Sequence, residues 1–222
     1  MMLKQTSAVQ GPHQGQPIRI AGEPLASARA AMLMLHGRGA SAGDILSLAG
    51  ELEQSGFAYI APEAAENAWY PNRFFVPIEH NEPWLSSALS FVGDVFSQIV
   101  DAGIPPERVI LLGFSQGACL ALEFAARNAQ RYGGVVALSG GLIGSDDTPR
   151  DYKGSLDHTP VFLGCSDVDV HIPKERVQHA AGILRDLGGN VTERLYPNMG
   201  HSVNHDEIKF VRGMQQLLVS PD

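Results

Sequence analysis

The chain has 222 residues, 44% of them hydrophobic and 18% charged, with 24 glycines and 14 prolines, a composition that suits one compact core rather than two. Sixteen basic residues against 24 acidic ones leave a formal charge of -8, the wrong sign for affinity built on phosphate neutralisation, so nucleic acid and an anionic membrane surface are poor partners. Only two cysteines occur, Cys119 and Cys165, both in apolar surroundings, which excludes a disulfide framework and a cysteine-rich zinc site and points to a reducing, cytoplasmic setting.

Residues 1–17 are polar, with Gln, Gly, His and Pro and no signal-like apolar core; they read as a flexible arm, and residues 18–222 as a single α/β domain. No apolar run approaches the roughly 18 residues that span a bilayer, so stable membrane insertion is not expected. Short, nearly continuous apolar runs recur at residues 31–35, 57–61, 109–114, 135–138 and 161–164, bounded by Gly or Pro, as strands buried on both faces require. Between them lie helical stripes: Leu85, Leu89, Val92, Phe96, Ile99 and Val100, then Val177, Ala181 and Leu184, then Ile208, Val211 and Leu218. This alternation predicts a mainly parallel sheet with helices on both faces and ligands at the carboxyl ends of the strands. Segments 63–83 and 140–159 are too long for simple connections and are expected to wall or cover a site.

The chemistry points to Gly113-Phe114-Ser115-Gln116-Gly117, which follows the strand over 109–112 and opens the apolar helical stretch 118–126. In a G-x-S-x-G elbow the glycines let strand and helix pack closely around a strained turn, and the serine hydroxyl is pushed out above the sheet. The competing reading is a glycine-rich turn with a helix-capping serine. A serine nucleophile needs a base and a third group to orient it, in the chain order Ser, then Asp or Glu, then His. His201, in the Gly-containing loop after the strand over 191–196, is the best base; His205, His171 and His179 read better as surface or helix-cap histidines. Asp167 and Asp169 both follow the strand over 161–165, and their spacing alone cannot choose between them.

Four blocks, Leu35-His36-Gly37-Arg38-Gly39-Ala40-Ser41, Gly113 to Ala118, Asp169-Val170-His171-Ile172-Pro173 and Met199-Gly200-His201-Ser202, together resemble the signatures of the phospholipase/carboxylesterase family, small α/β-hydrolases that include acyl-protein thioesterases. The resemblance runs from about Ala30 to the C-terminus and implies the α/β-hydrolase fold. It implies Asp169, four residues before Pro173, as the acid, and the backbone N–H groups of Arg38 and Gln116 as the oxyanion hole. Both donors sit at the carboxyl end of a central strand, where developing negative charge needs them.

The sequence departs from the eukaryotic thioesterase pattern at Arg38, where an apolar residue is usual, and over 72–84, where Arg73, Phe74, Phe75 and His80 form a cationic, partly aromatic segment. Arg38 is open to two readings, a salt bridge to a carboxylate such as Glu82 or substrate contact. Trp69, Tyr70, Phe74, Phe75 and Leu142 are the candidate pocket lining, against the alternative of core packing. Cys119 reads as a buried inert thiol.

A metal site built from Asp167, Asp169, His171, His201 and His205 is a rival, without an H-E-x-x-H motif to support it. A second rival is a binding module on the same fold, which would be expected to lack a triad member. The expectation is therefore a serine carboxylesterase acting on short to medium acyl esters through an acyl-enzyme, with acyl-protein thioesterase or lysophospholipase as alternatives, no metal or organic cofactor, a small-molecule ester as partner and a homodimer left open.

Overall fold

A computed structural model of the chain describes residues 11–220. Its centre is a seven-stranded sheet: β1 (Ile18–Gly22), β2 (Ala30–Leu35), β3 (Phe57–Pro62), β4 (Val109–Phe114), β5 (Gly134–Leu138), β6 (Pro160–Ser166) and β7 (Asn190–Tyr196), in the order β1-β3-β2-β4-β5-β6-β7. Only the β1–β3 pair is antiparallel; every other pair is parallel. Among the described residues five α-helices connect and cover the sheet: α1 (Ala42–Glu51), α2 (Trp84–Asp101), α3 (Gln116–Arg127), α4 (Lys174–Asp186) and α5 (His205–Val219).

The uninterrupted apolar runs make physical sense here. Every residue of β2, β3 and β5 is buried. Along β2, Ala31, Leu33 and Leu35 point to the layer holding α2, α3 and α4, whereas Ala30, Met32 and Met34 point to the layer holding α1 and α5. Two apolar faces leave no room for polar alternation. The edge strand β7 is only partly buried and carries Thr192, Glu193 and Arg194.

The strand order reverses between β2 and β4, and a doubly wound sheet opens a crevice beyond the strand ends at such a switch point. The β2, β4 and β6 carboxyl ends lead directly into Arg38, Ser115 and Asp169.

The expected flexible arm needs correction over its second half; residues 1–10 lie outside those described. His13 is fully buried, with its ring 5.5 Å from Trp69 and 5.4 Å from Trp84. Its Nδ1 accepts from Ala65 N–H at 3.1 Å and its Nε2 donates to the Trp69 carbonyl at 3.0 Å. Those two bonds specify a neutral ring, and burial correspondingly lowers its pKa. The segment is held because it satisfies backbone groups that the 64–69 loop would otherwise bury unpaired.

The 140–159 segment is fastened in a comparable way by Glu123 of α3. This buried carboxylate accepts from Ile143 N–H and from the Tyr152 hydroxyl, each at 3.1 Å, and pairs with Arg127 and Arg150.

Candidate active site

Ser115 occupies a backbone conformation that L residues rarely adopt, φ 55° and ψ -117°. The flanking glycines are what make the turn sterically possible. A Cβ on Gly117 would run into the Leu35 carbonyl, and one on Gly113 into the carbonyl of Gly117. The elbow is locked by Ser115 N–H donating to Leu138 O at 2.9 Å and Cys119 N–H donating to Ser115 O at 3.1 Å.

Ser115, His201 and Asp169 form one continuous chain. Ser115 Oγ lies 2.9 Å from His201 Nε2, and His201 Nδ1 lies 2.7 Å from Asp169 Oδ2. The other carboxylate oxygen of Asp169 accepts from His171 N–H at 2.8 Å and Ile172 N–H at 3.1 Å. Burial alone would push this carboxyl up, but the bonds from His201, His171 and Ile172 outweigh it and hold the acid below its ordinary range. An ionised Asp169 makes His201 Nδ1 the donor, which leaves Nε2 free to accept the serine proton.

Asp167 has different work. Its Oδ1 accepts from Asn198 N–H at 2.8 Å, and Ser166 Oγ accepts from Gly200 N–H at 3.0 Å, so both brace the loop that carries His201. The far end of that loop enters α5 through a reciprocal cap, with Asn204 Oδ1 bonded to Glu207 N–H and Asn204 N–H bonded to Glu207 Oε2.

Opposite the triad, the segment after β2 is fixed by His36. Its Nδ1 donates to Gly37 O at 2.8 Å, its Nε2 accepts from Ala64 N–H at 3.0 Å, and burial keeps it neutral by lowering its pKa. Trp69 Nε1 donates to His36 O at 2.9 Å. The Arg38 side chain does not form the salt bridge of the first sequence reading. Its guanidinium donates to the carbonyls of Tyr70, Pro71 and Asn72 at 2.7, 2.9 and 2.6 Å, while Glu82 caps α2 through Ser86. Three carbonyls in a tight turn offer the planar fork more bonds than one distant carboxylate could.

A cavity of about 270 Å³ opens beside the triad, lined by Arg38, Tyr70, Asn72, Arg73, Phe74, Ser115, Gln116, Cys119, His171, Ile172 and His201. Of the expected lining, Tyr70 and Phe74 belong to it, together with Arg38 and Gln116. Trp69, Phe75 and Leu142 do not. Trp69 is buried behind the loop as a support, Leu142 is buried in the core, and Phe75 is half-buried against the core, edge-on to Phe74 at 5.3 Å, and lines a separate cavity. A loop residue's facing cannot be read from its type. His171 is exposed, as expected, and also lines the cavity, with its ring 4.9 Å from that of His201. Cys119 also lines the cavity, yet burial pushes its thiol up to about 12, which leaves it unreactive as a nucleophile. Of the metal rival's residues, Asp169 and His201 are bonded to each other, and the described residues contain no group of three or more His, Cys, Asp or Glu suited to an ion. No helix among them is long and apolar enough to cross a membrane.

Comparison with known proteins gives a consistent picture. The phospholipase/carboxylesterase family model matches residues 20–217. A crystal structure of a phospholipase/carboxylesterase from Dyadobacter fermentans superposes with a TM-score of 0.88 at 43% identity, covering 92% of this chain and 97% of that one. Acyl-protein thioesterase 1 of Gibberella zeae is 34% identical over 131 residues, 58% of this chain and 55% of that protein, so the match spans about half the length of such relatives. A probable carboxylesterase of Arabidopsis thaliana is 26% identical over 201 residues, 83% of this chain and 77% of its own length. With its seven-stranded sheet and its elbow on β4, the chain belongs to the phospholipase/carboxylesterase family of α/β-hydrolases.

Proposed function

We propose that this protein is a serine carboxylesterase that hydrolyses short to medium acyl esters through an acyl-enzyme. The observation that carries the reading is the unbroken Ser115–His201–Asp169 chain at the wall of a cavity. In the reaction, Ser115 Oγ attacks the ester carbonyl carbon while His201 Nε2 takes its proton. The negative charge developing on the carbonyl oxygen is received by the backbone N–H groups of Arg38 and Gln116. Collapse of the tetrahedral species breaks the bond to the alcohol, which leaves with the proton from His201. Water, deprotonated by the same imidazole, then attacks the acyl-enzyme and the acid departs, returning Ser115 to its hydroxyl form. Asp169 stays ionised and holds the ring throughout.

The acyl range follows from the cavity. It is small and its lining alternates apolar Tyr70, Phe74 and Ile172 with polar Asn72, Arg73 and His171. Each methylene buried in an open apolar channel would add about 0.8 kcal/mol, nearly fourfold in specificity constant. Here a lengthening chain meets the 70–75 segment, so the optimum falls at short acyl groups, roughly two to six carbons, with a decline beyond it.

Acyl-protein thioesterase activity is the second reading, favoured by the names of the relatives in fungi. Lysophospholipase activity stands with it, since both need a long acyl channel. A non-catalytic binding module is disfavoured by the intact triad. The two buried thiols fit the proposed cytoplasmic setting. A series of nitrophenyl esters from acetyl to palmitoyl, run beside the matching acyl-thioesters, tests the proposal. An early optimum with esters preferred supports it, and efficiency climbing unbroken to sixteen carbons or confined to thioesters would give the function to the second reading.

A further inference from the structure

We infer that the ester accepted by this site carries a carboxylate and that Arg73 is the residue that selects for it. The inference rests on the esterase reading and narrows it to a substrate class.

The protein as a whole is acidic, with a formal charge of -8, yet the permanent charges lining the cavity beside Ser115 are the guanidiniums of Arg38 and Arg73, with no Asp or Glu among the lining residues and the Asp169 carboxylate set behind His201. A cleft of one sign inside a low-dielectric wall focuses the field and concentrates ligands of the opposite sign. Both guanidiniums lack a carboxylate counter-ion among the described residues; Arg38 is spent on the three carbonyls of residues 70–72, whereas Arg73 has only the face of Phe75, 5.6 Å from its guanidinium carbon. Arg38 therefore supplies field, and Arg73 supplies N–H donors.

The position of Arg73 is set by its neighbours. Asn72 N–H donates to Asn81 Oδ1 at 2.8 Å, Asn81 Nδ2 donates to Arg73 O at 3.2 Å, and Asn72 Nδ2 donates to His80 O at 2.6 Å. Asn81 is fully buried, so its two bonds are not exchanged readily for water, whereas the bond from Asn72 to His80 is exposed. A cation held on an aromatic face, with its donor edge left over, matches a carboxylate through paired N–H···O bonds. Selecting a neutral ester requires no such group, and leaving one unpaired at a cavity wall brings nothing to the binding of an alkyl chain.

The test compares isosteric esters that differ only in charge. For a carboxylate on the acyl side, monoethyl glutarate is set against ethyl 5-methylhexanoate. For one on the alcohol side, butanoyloxyacetate is set against isobutyl butanoate. Release of acid is followed by pH-stat in the wild type, Arg73→Gln and Arg73→Lys. In one of the two pairs the wild type should favour the anionic ester by about tenfold or more in kcat/KM, an amount typical of one charge-assisted bond pair, and that pair identifies the side on which the carboxylate sits. Arg73→Gln should bring the ratio close to one and Arg73→Lys should restore part of it. Raising the salt concentration should shrink the wild-type ratio. Hydrolysis of neutral esters with no anionic preference in either pair overturns this inference and leaves the esterase reading standing; so does a preference that survives in Arg73→Gln, which removes Arg73 as its origin. Failure of the wild type to hydrolyse any of the four overturns the esterase reading itself.

Discussion

Gln116 and Trp69 are joined by their polar atoms across the mouth of the site: Gln116 Oε1 accepts from Trp69 N–H at 2.8 Å, while its Nε2 donates to Tyr70 O at 2.7 Å. The residue that follows Ser115 therefore uses its side chain to grip the loop opposite, leaving its backbone N–H available for the proposed oxyanion role. Arg38 grips the same loop from the β2 side. These two tethers fix the distance between elbow and loop. Gln116→Ala keeps the backbone donor but orphans the buried Trp69 N–H, while Tyr70 O retains its bond from Arg38, a loss of about 1–3 kcal/mol. We expect its turnover to fall about tenfold to a hundredfold over every acyl length, with the optimum length unchanged. Arg38→Leu should behave alike, because its side chain is held by the three carbonyls of residues 70–72. The acyl-length profiles of both variants check this, and an optimum that moves to longer chains would mean that these side chains limit the pocket directly.

Ser115 is expected to be the one site of covalent modification. A fluorophosphonate probe should add once, at Ser115, and Ser115→Ala should abolish labelling and turnover while leaving thermal unfolding nearly unchanged, since the elbow geometry comes from Gly113 and Gly117. Mass spectrometry of the labelled peptide reads the result directly. Cys119 lies one turn on, but with its thiol pushed up to about 12 it should stay unlabelled at neutral pH.

The two aspartates after β6 should separate cleanly in kinetics. Asp169→Asn removes the charge that fixes the His201 tautomer, and a loss of about 10⁴-fold in kcat is expected. Asp167→Asn retains an oxygen that can accept from Asn198 N–H, so its cost should be about tenfold or less. Steady-state kinetics of the two variants on one ester decide the matter; reversed effects would move the acid to Asp167.

The division between what could and could not be read from sequence has a physical origin. Buried parallel strands, striped helices and the strand-turn-helix elbow are local patterns, each spelled within a dozen residues, and the five interior strands fall within two residues of their expected bounds. Asp167 and Asp169 illustrate the next level. Both follow the same strand, and only the family resemblance separated them before the hydrogen bonds to His201 and Asn198 did so in space. His13 was out of reach altogether. Its partners Ala65 and Trp69 lie 52 and 56 residues away, and a polar, glycine-rich neighbourhood gives no sign that one histidine in it is buried. The side chains of Arg38, Phe75 and Leu142 depended likewise on the path of irregular loops, which no periodicity encodes.

Glu207 offers the last prediction, on the pH dependence of stability. Its side chain is fully buried below the His201 loop; Oε2 is used in the α5 cap, Oε1 has no hydrogen-bond partner and lies against the β6 backbone at Gly164, and burial raises the carboxyl to about 7. A raised folded-state value means that the native protein keeps a proton which the unfolded chain has already released. Stability from this group is thus present below an unfolded value of about 4.3 and is lost as pH climbs to about 7, levelling off beyond. His13 and His36 act in the opposite sense. Both are buried neutral with lowered values, so their contribution is present above about 6.5 and is lost on acidification. Glu207→Gln keeps an acceptor for Asn204 N–H and cannot ionise. Relative to the wild type it should gain on the order of 2 kcal/mol in unfolding free energy between pH 5 and pH 8, and on acidification below pH 6 it should lose stability more steeply than the wild type, because the histidine loss is no longer offset by the proton that Glu207 keeps. Urea unfolding of both proteins at pH 5, 6.5 and 8 gives the comparison. A variant whose curve stays parallel to the wild type from pH 5 to 8 would show that Glu207 is already ionised in the folded protein at pH 5.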